Sequence, residues 1–359
     1  MLTGMLNKKI HRRLDMLRGH MTELHIECVL VTTAANRRYL SGFTGSAGAL
    51  LITADRQMFI TDGRYKSQGS IEAVGFELII HSGPILREIV DTIDHIGVDR
   101  IGVDPDHINV TQYRFLKSSL NKKVTLVDTC SLVENMRLTK DEHELEAMRS
   151  AIEIADNVMQ FAFDQISRSS LTEKELALAI DREFRLHSDG PAFPLIVASG
   201  LNSAKPHHFP SDAPIVEDRP LVIDIGASVQ GYCSDITRTF CPGGSSKFDT
   251  VYSVVLEANA AGISAVKHGA DCQQVDRAAR DIIDDAGYGE FFGHGLGHGV
   301  GLEIHESPRL SMMSDDVLLE GTVHSIEPGI YLPDWGGVRI EDLVLVTRNG
   351  SEVLTQAIK

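Results

Sequence analysis

The spacing of hydrophobic positions along the chain changes character near Glu134. Before it the elements are short. Ile10, Leu14, Leu17 and Met21 recur at helical spacing and predict an amphipathic helix. The apolar, β-branched run from Glu27 to Thr33 predicts a buried strand. Two further runs, 49–53 and 57–61, flank Ala54-Asp55-Arg56 and read as a hairpin. Helices over 67–74, 85–96 and 111–120 then alternate with strands over 76–81, 100–103 and 123–128, the pattern of an α/β unit. Beyond Glu134 the segments lengthen. Residues 140–166 keep a charged and apolar helical period, and Thr172 with Glu175 forms a capping box that opens a second helix running to His187, before Asp189-Gly190. Strands and a hairpin follow at 220–227 and 231–240, two more helices at 247–268 and 272–286, and a second hairpin at 322–332 and 337–347. Each half reads helix, helix, sheet. That order suggests an internal repeat, although identity between the halves is too low to see by eye. The predicted organisation is an α/β domain over 1–133 and an α+β domain over 134–359.

At 43% hydrophobic and 23% charged, the chain can bury a sizeable core. A formal charge of −16 opposes binding to nucleic acid or to an anionic membrane, both of which need a basic patch. Cys28, Cys130, Cys233, Cys241 and Cys272 are scattered, odd in number and without a CxxC pair. Neither a disulfide framework nor a thiolate metal site is indicated, and the predicted setting is a reducing cytoplasm. Lys8, Lys9, Arg12, Arg13 and Arg18 make the start basic, which raises a transit peptide as an alternative. Asp15 and Glu23 interrupt that run, so a surface helix is the preferred reading. No apolar run has signal-peptide length or the length to span a bilayer.

Candidate chemistry concentrates in three places. Residues 293–306 hold His294, His298 and His305 among five glycines at 293, 295, 297, 299 and 301. Histidines four apart could share a helix face, but each glycine costs a helix about 1 kcal/mol relative to alanine. The stretch therefore reads as looped or extended backbone that something approaches closely, the alternative being a glycine-rich surface loop. In the first hairpin Asp224 interrupts an apolar strand, Gln230-Gly231 can make the turn, and Asp235 returns roughly opposite Asp224. Facing carboxylates repel unless a cation or a proton lies between them. In the second hairpin Glu327 ends a strand, and Arg339 and Glu341 share a face by the period-two rule. Four acids and His298 exceed the needs of one divalent cation, and a pair of ions sharing carboxylates would balance the charge. Such an oxygen-rich set favours manganese, with cobalt, iron or zinc as alternatives.

These motifs carry a family resemblance. Asp224, Asp235 within Ser234-Asp235-Ile236-Thr237-Arg238-Thr239-Phe240, His298, Glu327 within Glu327-Pro328-Gly329-Ile330-Tyr331, and Glu341 within Gly337-Val338-Arg339-Ile340-Glu341-Asp342 resemble the five ligands of the pita-bread dinuclear metallopeptidases. Residues 197–208, with His294 and His305, resemble the Xaa-Pro aminopeptidase and Xaa-Pro dipeptidase (prolidase) branch. Tyr39 to Gly48 and Thr61 to Tyr65 are similar to the creatinase-type N-terminal domain of that branch. The resemblance implies a pita-bread catalytic domain, two divalent cations and hydrolysis of the bond between an N-terminal residue and proline. It implies that Asp224 and Glu341 bridge or clamp the metals, that Asp235 holds one ion, and that His298 and Glu327 hold the other. By the same resemblance Glu327 shuttles a proton, His207 and His305 stabilise the tetrahedral intermediate, and His294 contacts the substrate near proline. Arg339 orients the neighbouring acids or anchors a substrate carboxylate. The expected substrate is a proline-containing peptide or dipeptide, and the expected assembly a homodimer. Two rivals share the fold: a metal-free creatinase-like amidinohydrolase and a non-catalytic binding module, neither of which needs the full acid set. Tyr232 and Trp335 lie beside the motifs and read as core or pocket wall.

Overall fold

The computed structural model describes residues 2–167 and 171–359. The chain divides into two compact units, Met1–Arg137 and Leu138–Lys359. In the first, helix α1 (Leu2–Glu23) precedes β1 (Cys28–Val31), α2 (Ala34–Ser41), β2 (Ala49–Thr53), β3 (Gln57–Asp62), α3 (Lys66–Glu72) and β4 (Glu77–His81). Then come α4 (Ile85–Ile96), β5 (Arg100–Val103), α5 (Val110–Ser119), β6 (Thr125–Asp128) and α6 (Leu132–Arg137). The six strands form one mixed sheet in the order β4-β3-β2-β1-β5-β6. The stripe that predicts α1 is its buried face: Ile10, Leu14, Leu17 and Met21 are all buried. Helix α2 has no counterpart in the hydrophobic pattern. It is short and capped locally, by the Thr33 side chain at its start and by Gly42 in the left-handed region at its end. Its Arg37 is buried because the guanidinium donates to the carbonyls of Gly45 and Gly48, folding the loop after it.

The second unit begins with α7 (Glu142–Ile166) and α8 (Glu173–His187), each opened by a complete capping box, from Asp141 with Glu144 and from Thr172 with Glu175. The strands β7 (Gly190–Pro191), β8 (Ile196–Ser199), β9 (Leu221–Ile225), β10 (Ala227–Val229), β11 (Tyr232–Cys233) and β12 (Ile236–Phe240) follow. Helices α9 (Ser246–Ala265) and α10 (Cys272–Asp285) open the second half. They lead to β13 (Gly297–Gly299), β14 (Glu306–Leu310), β15 (Val323–Ile326), β16 (Gly329–Leu332), β17 (Gly336–Arg339), β18 (Asp342–Thr347) and β19 (Gly350–Val353). Both halves run helix, helix, sheet, as the element order suggests, and each helix pair buries an apolar face. Ala155, Leu176 and Phe184 pack with Ile223 and Ile225 in the first half, and Val255, Val275 and Ala279 pack with Ile326 and Val338 in the second.

Both hairpins are bent ribbons rather than continuous strands. The first passes from a three-stranded sheet (β12-β9-β8) into another (β11-β10-β7). The second passes from a five-stranded sheet (β14-β13-β15-β18-β19) into the pair β16-β17. Gln230 and Gly231, both with positive φ, make the tight turn of the first ribbon. Helices hold the bends. Ser234 donates its hydroxyl to the Ala151 carbonyl of α7, and the buried Asn259 of α9 donates its amide to the Ile326 carbonyl. At Gly226 a Cβ would collide with the Ser234 carbonyl, so the first bend requires a glycine.

Candidate metal centre and active site

The four acids sit at or beside these bends. Asp224 lies near the end of β9 and Asp235 in the break between β11 and β12; Glu327 follows β15, and Glu341 stands in the break between β17 and β18. Asp224 pairs across the ribbon with Thr237, not with Asp235. Asp235 is therefore offset along the return strand, a correction to the facing arrangement expected from the hairpin alone. The physical reason is the bend, which spreads the return strand over two sheets and shifts the register. In the second ribbon β17 ends at Arg339, and Arg339 and Glu341 still meet on one side, both bonded to the Thr237 hydroxyl. Glu341 then docks onto the first ribbon, its backbone N–H donating to the Thr237 carbonyl.

The glycine-rich stretch is not helical. It runs as loop and the short strand β13, which pairs with β14 and β15. A Cβ at Gly297 would collide with the Ser325 carbonyl, so close approach by the neighbouring strand accounts for glycine there; Gly293 faces open space. The loop is fixed from α10. The buried Asp276 accepts from the Leu296 N–H at 2.9 Å, and Arg280, paired with Asp276 at 2.7 Å, donates to the His294 carbonyl at 2.7 Å. Thus His294 and His298 are aimed by backbone held in place, not by a helix face.

Asp224, Asp235, His298, Glu327, Glu341, His207, His294, His305 and Arg339 all line one cavity of about 790 Å³. His298 Nε2 lies 3.3 Å from Glu327 Oε1 and 3.7 Å from Asp235 Oδ2, and the His298 and His305 rings meet edge to face at 4.4 Å. Ser325 donates its hydroxyl to Glu327 at 3.2 Å. Asp235, His298 and Glu341 each offer a ligand atom within 4.8 Å of the others. Arg339 is buried and fully engaged. It donates to Asp224 at 2.7 Å, to the Thr237 hydroxyl at 3.1 Å and to the Tyr331 hydroxyl at 3.0 Å, while Thr237 donates to Glu341 at 2.8 Å. Of the two roles expected for Arg339, the geometry supports orienting the acids. Tyr331 also hydrogen-bonds His294 Nε2 at 2.9 Å, which links that ring to the same network.

The electrostatics follow from burying so much negative charge. Burial and the neighbouring carboxylates push Asp235 and Glu341 well above the ordinary range. Burial raises Asp224 too, against the opposing charge of Arg339. Burial acts on Glu327 in the same direction, but His298 together with His294 and Arg339 outweighs it and holds that carboxyl at about 2. His298 is raised in turn, since Glu327 overcomes the effect of burial. Burial lowers His294 and His305, favouring neutral imidazoles. One observation tests whether the set suits cations: Asp224 Oδ1 is buried and has no hydrogen-bond partner among the described residues. An orphaned carboxylate oxygen among three more acids fits a cation-binding site and fits poorly with a self-sufficient hydrogen-bond network.

Several residues on the cavity wall carried no signal in the hydrophobic pattern. Tyr331 was legible only as part of a motif. Arg309 stands beside His298 on the adjacent strand and is exposed to the cavity. Tyr232 and Trp335 are buried; Tyr232 bonds Glu144, and Trp335 belongs to the core of the second half.

Residues 146–348 match metallopeptidase family M24, and residues 13–139 match the creatinase/prolidase N-terminal domain. An Xaa-Pro dipeptidase of Pyrococcus horikoshii is 36% identical over 361 residues, covering 98% of this chain and 97% of the relative. The solved structure of an Xaa-Pro dipeptidase from Bacillus anthracis superposes with a TM-score of 0.92 at 39% identity, over 98% of each chain. An X-Pro aminopeptidase from Thermotoga maritima superposes at 0.90 and 36% identity, over 96% of this chain and 97% of that one.

Proposed function

We propose that this chain, which belongs to metallopeptidase family M24, hydrolyses the peptide bond between an N-terminal residue and proline. The observation that carries the reading is the convergence of three buried acids, the partly buried Glu327 and His298 on one cavity, with Asp224 Oδ1 left unpartnered. Asp224, Asp235, His298, Glu327 and Glu341 would hold two divalent cations, manganese first among the candidates. When bound, such ions acidify water and polarise a carbonyl. The chain's own residues supply the rest. Glu327 takes the proton of the attacking water and delivers it to the departing proline nitrogen. His207 and His305 donate to the carbonyl oxygen as it gains charge. His294, fixed by Tyr331, faces the proline side of the substrate. Arg339 is a positioning residue that orients Asp224. The amidinohydrolase and the binding module both dispense with the acid set, whereas here all of it stands on one cavity.

Of the two substrate lengths, the dipeptide is the better fit. Arg309 places an exposed cation on the cavity wall, which complements the free carboxylate of an Xaa-Pro dipeptide. The functional domains follow the compact units, with the boundary close to residues 133–138. Self-association as a homodimer is supported by apolar side chains standing exposed on the cavity wall, Phe209 at 75% and Met313 at 88%. A reducing cytoplasm suits cysteines that form no disulfide among the described residues. The test is hydrolysis of Ala-Pro beside Ala-Pro-Ala-Ala with added manganese. Ala-Pro should be cleaved faster, and Arg309→Met should erase that preference. Faster cleavage of the tetrapeptide would make the protein an aminopeptidase, and cleavage of neither would overturn the reading.

A further inference from the structure

Outside the acid set, the unit holds a carboxylate at a point with no assigned role. Glu173 is the first residue of α8, and its side chain is fully buried. It receives five hydrogen bonds. Oε1 accepts from the Ser199 N–H at 2.7 Å and from the Asn202 amide at 3.0 Å. Oε2 accepts from His208 Nε2 at 2.8 Å, from the Ser211 N–H at 3.0 Å and from the Ser211 hydroxyl at 2.6 Å. The donors come from both ends of the segment 199–211, so one carboxylate closes that loop. The backbone adds to the closure, with the Lys174 N–H donating to the Ser211 carbonyl. A carboxylate at the first turn of a helix is also favoured by the helix dipole. Inside the closed loop, His208 and the adjacent His207 both line the catalytic cavity, but His208 Nε2 is tied to Glu173.

We infer that Glu173 is a positioning residue for His207. By holding Ser199 and Asn202 on one oxygen and His208 and Ser211 on the other, it sets the loop from which His207 reaches the reacting carbonyl. The inference rests on the proposed role of His207. Displacing a catalytic group by about 1 Å can cost on the order of 10²-fold in rate. Glu173→Gln keeps the size of the side chain but turns an acceptor into a donor facing donors, so the loop must shift.

The test is a double-mutant cycle on the metal-loaded protein, with kcat and KM for Ala-Pro measured for wild type, Glu173→Gln, His207→Ala and the double variant. Glu173→Gln should lower kcat by about 10–10²-fold with KM changed much less. In the His207→Ala background the same substitution should cost less than about twofold, because the group it positions is gone. Equal losses in both backgrounds would overturn the inference and leave Glu173 a general structural residue. A fully active His207→Ala would instead refute the role of His207 itself, so the two failures are distinguishable. His208→Ala removes one contact of the same carboxylate from a partly accessible position, and carries the test if Glu173→Gln does not fold. Its loss should be smaller than that of Glu173→Gln and should also vanish in the His207→Ala background; an unchanged loss there overturns the inference.

Discussion

Arg339 offers a quantitative handle on the acid cluster. The residue is 3% exposed, and its guanidinium donates to Asp224, Thr237 and Tyr331 at once. Arg339→Ala leaves Asp224 buried without its counter-charge, and breaking a buried pair from one side costs about 3–5 kcal/mol. For a unit of about 200 residues each kcal/mol moves Tm by about 2–4 °C, so metal-free Arg339→Ala should melt about 6–20 °C below wild type. Arg339→Lys keeps a charge near Asp224 but cannot fork. Losing the bonds to Thr237 and Tyr331 removes about 1 kcal/mol each, which places Lys between wild type and Ala. Bound cations neutralise the same acids, so saturating manganese should shrink the Ala deficit. Calorimetry of the three proteins, in chelator and in manganese, reads all of this. Two results would refute the reasoning: Ala melting within about 2 °C of wild type in chelator, or a deficit that does not change when metal is added.

Other perturbations separate the remaining roles. Glu327→Gln should lower kcat by at least about 10²-fold with modest metal loss, whereas His294→Ala should retain its metals and show part of its damage as a higher KM; metal occupancy and kinetics on the same preparations check both. If His294→Ala loses its metals while Glu327→Gln turns over normally, those assignments are reversed. Gly226→Ala puts a methyl against the Ser234 carbonyl and should cost about 1–3 kcal/mol, weakening metal binding with it because the bend sets Asp224 against Asp235; urea melts and metal titration measure the two effects. Burial opposes ionisation of Glu173, but its hydrogen-bond donors outweigh it and hold the carboxyl below its ordinary 4.5. Its stabilisation is therefore present above about pH 4.5 and lost as pH falls below it, and Glu173→Gln should flatten that part of the stability–pH curve. Sedimentation velocity should find a dimer at assay concentrations, and a fully active monomer would remove the dimer proposal.

How much of this was legible in the sequence depends on how local each feature is. The buried stripe of α1, the capping box of Thr172 and Glu175 and the alternation of short elements before Glu134 are set by neighbours in the chain, and they read directly. The identity of the acid set read from motif order. Its geometry did not, because Asp235 and Glu341 stand in breaks whose position depends on Gly226, Ser234 and Asn259 meeting across the fold. Helix α2 was hidden by its shortness and by Arg37 and Arg38, which look like a solvated pair until the carbonyls of Gly45 and Gly48 are seen to bury Arg37. Glu173 was visible only as the first residue after a cap. Its five donors come from a loop about thirty residues away, which no local pattern encodes.

The most direct test of the central claim couples metal content to hydrolysis. The protein is stripped with a chelator, then titrated with manganese while elemental analysis and Ala-Pro hydrolysis are followed on the same samples. Activity should be absent in the stripped protein and return as occupancy approaches two ions per chain, with Tm rising in parallel because the folded state alone binds them. Full Ala-Pro hydrolysis by a stripped protein containing no divalent metal would contradict the account.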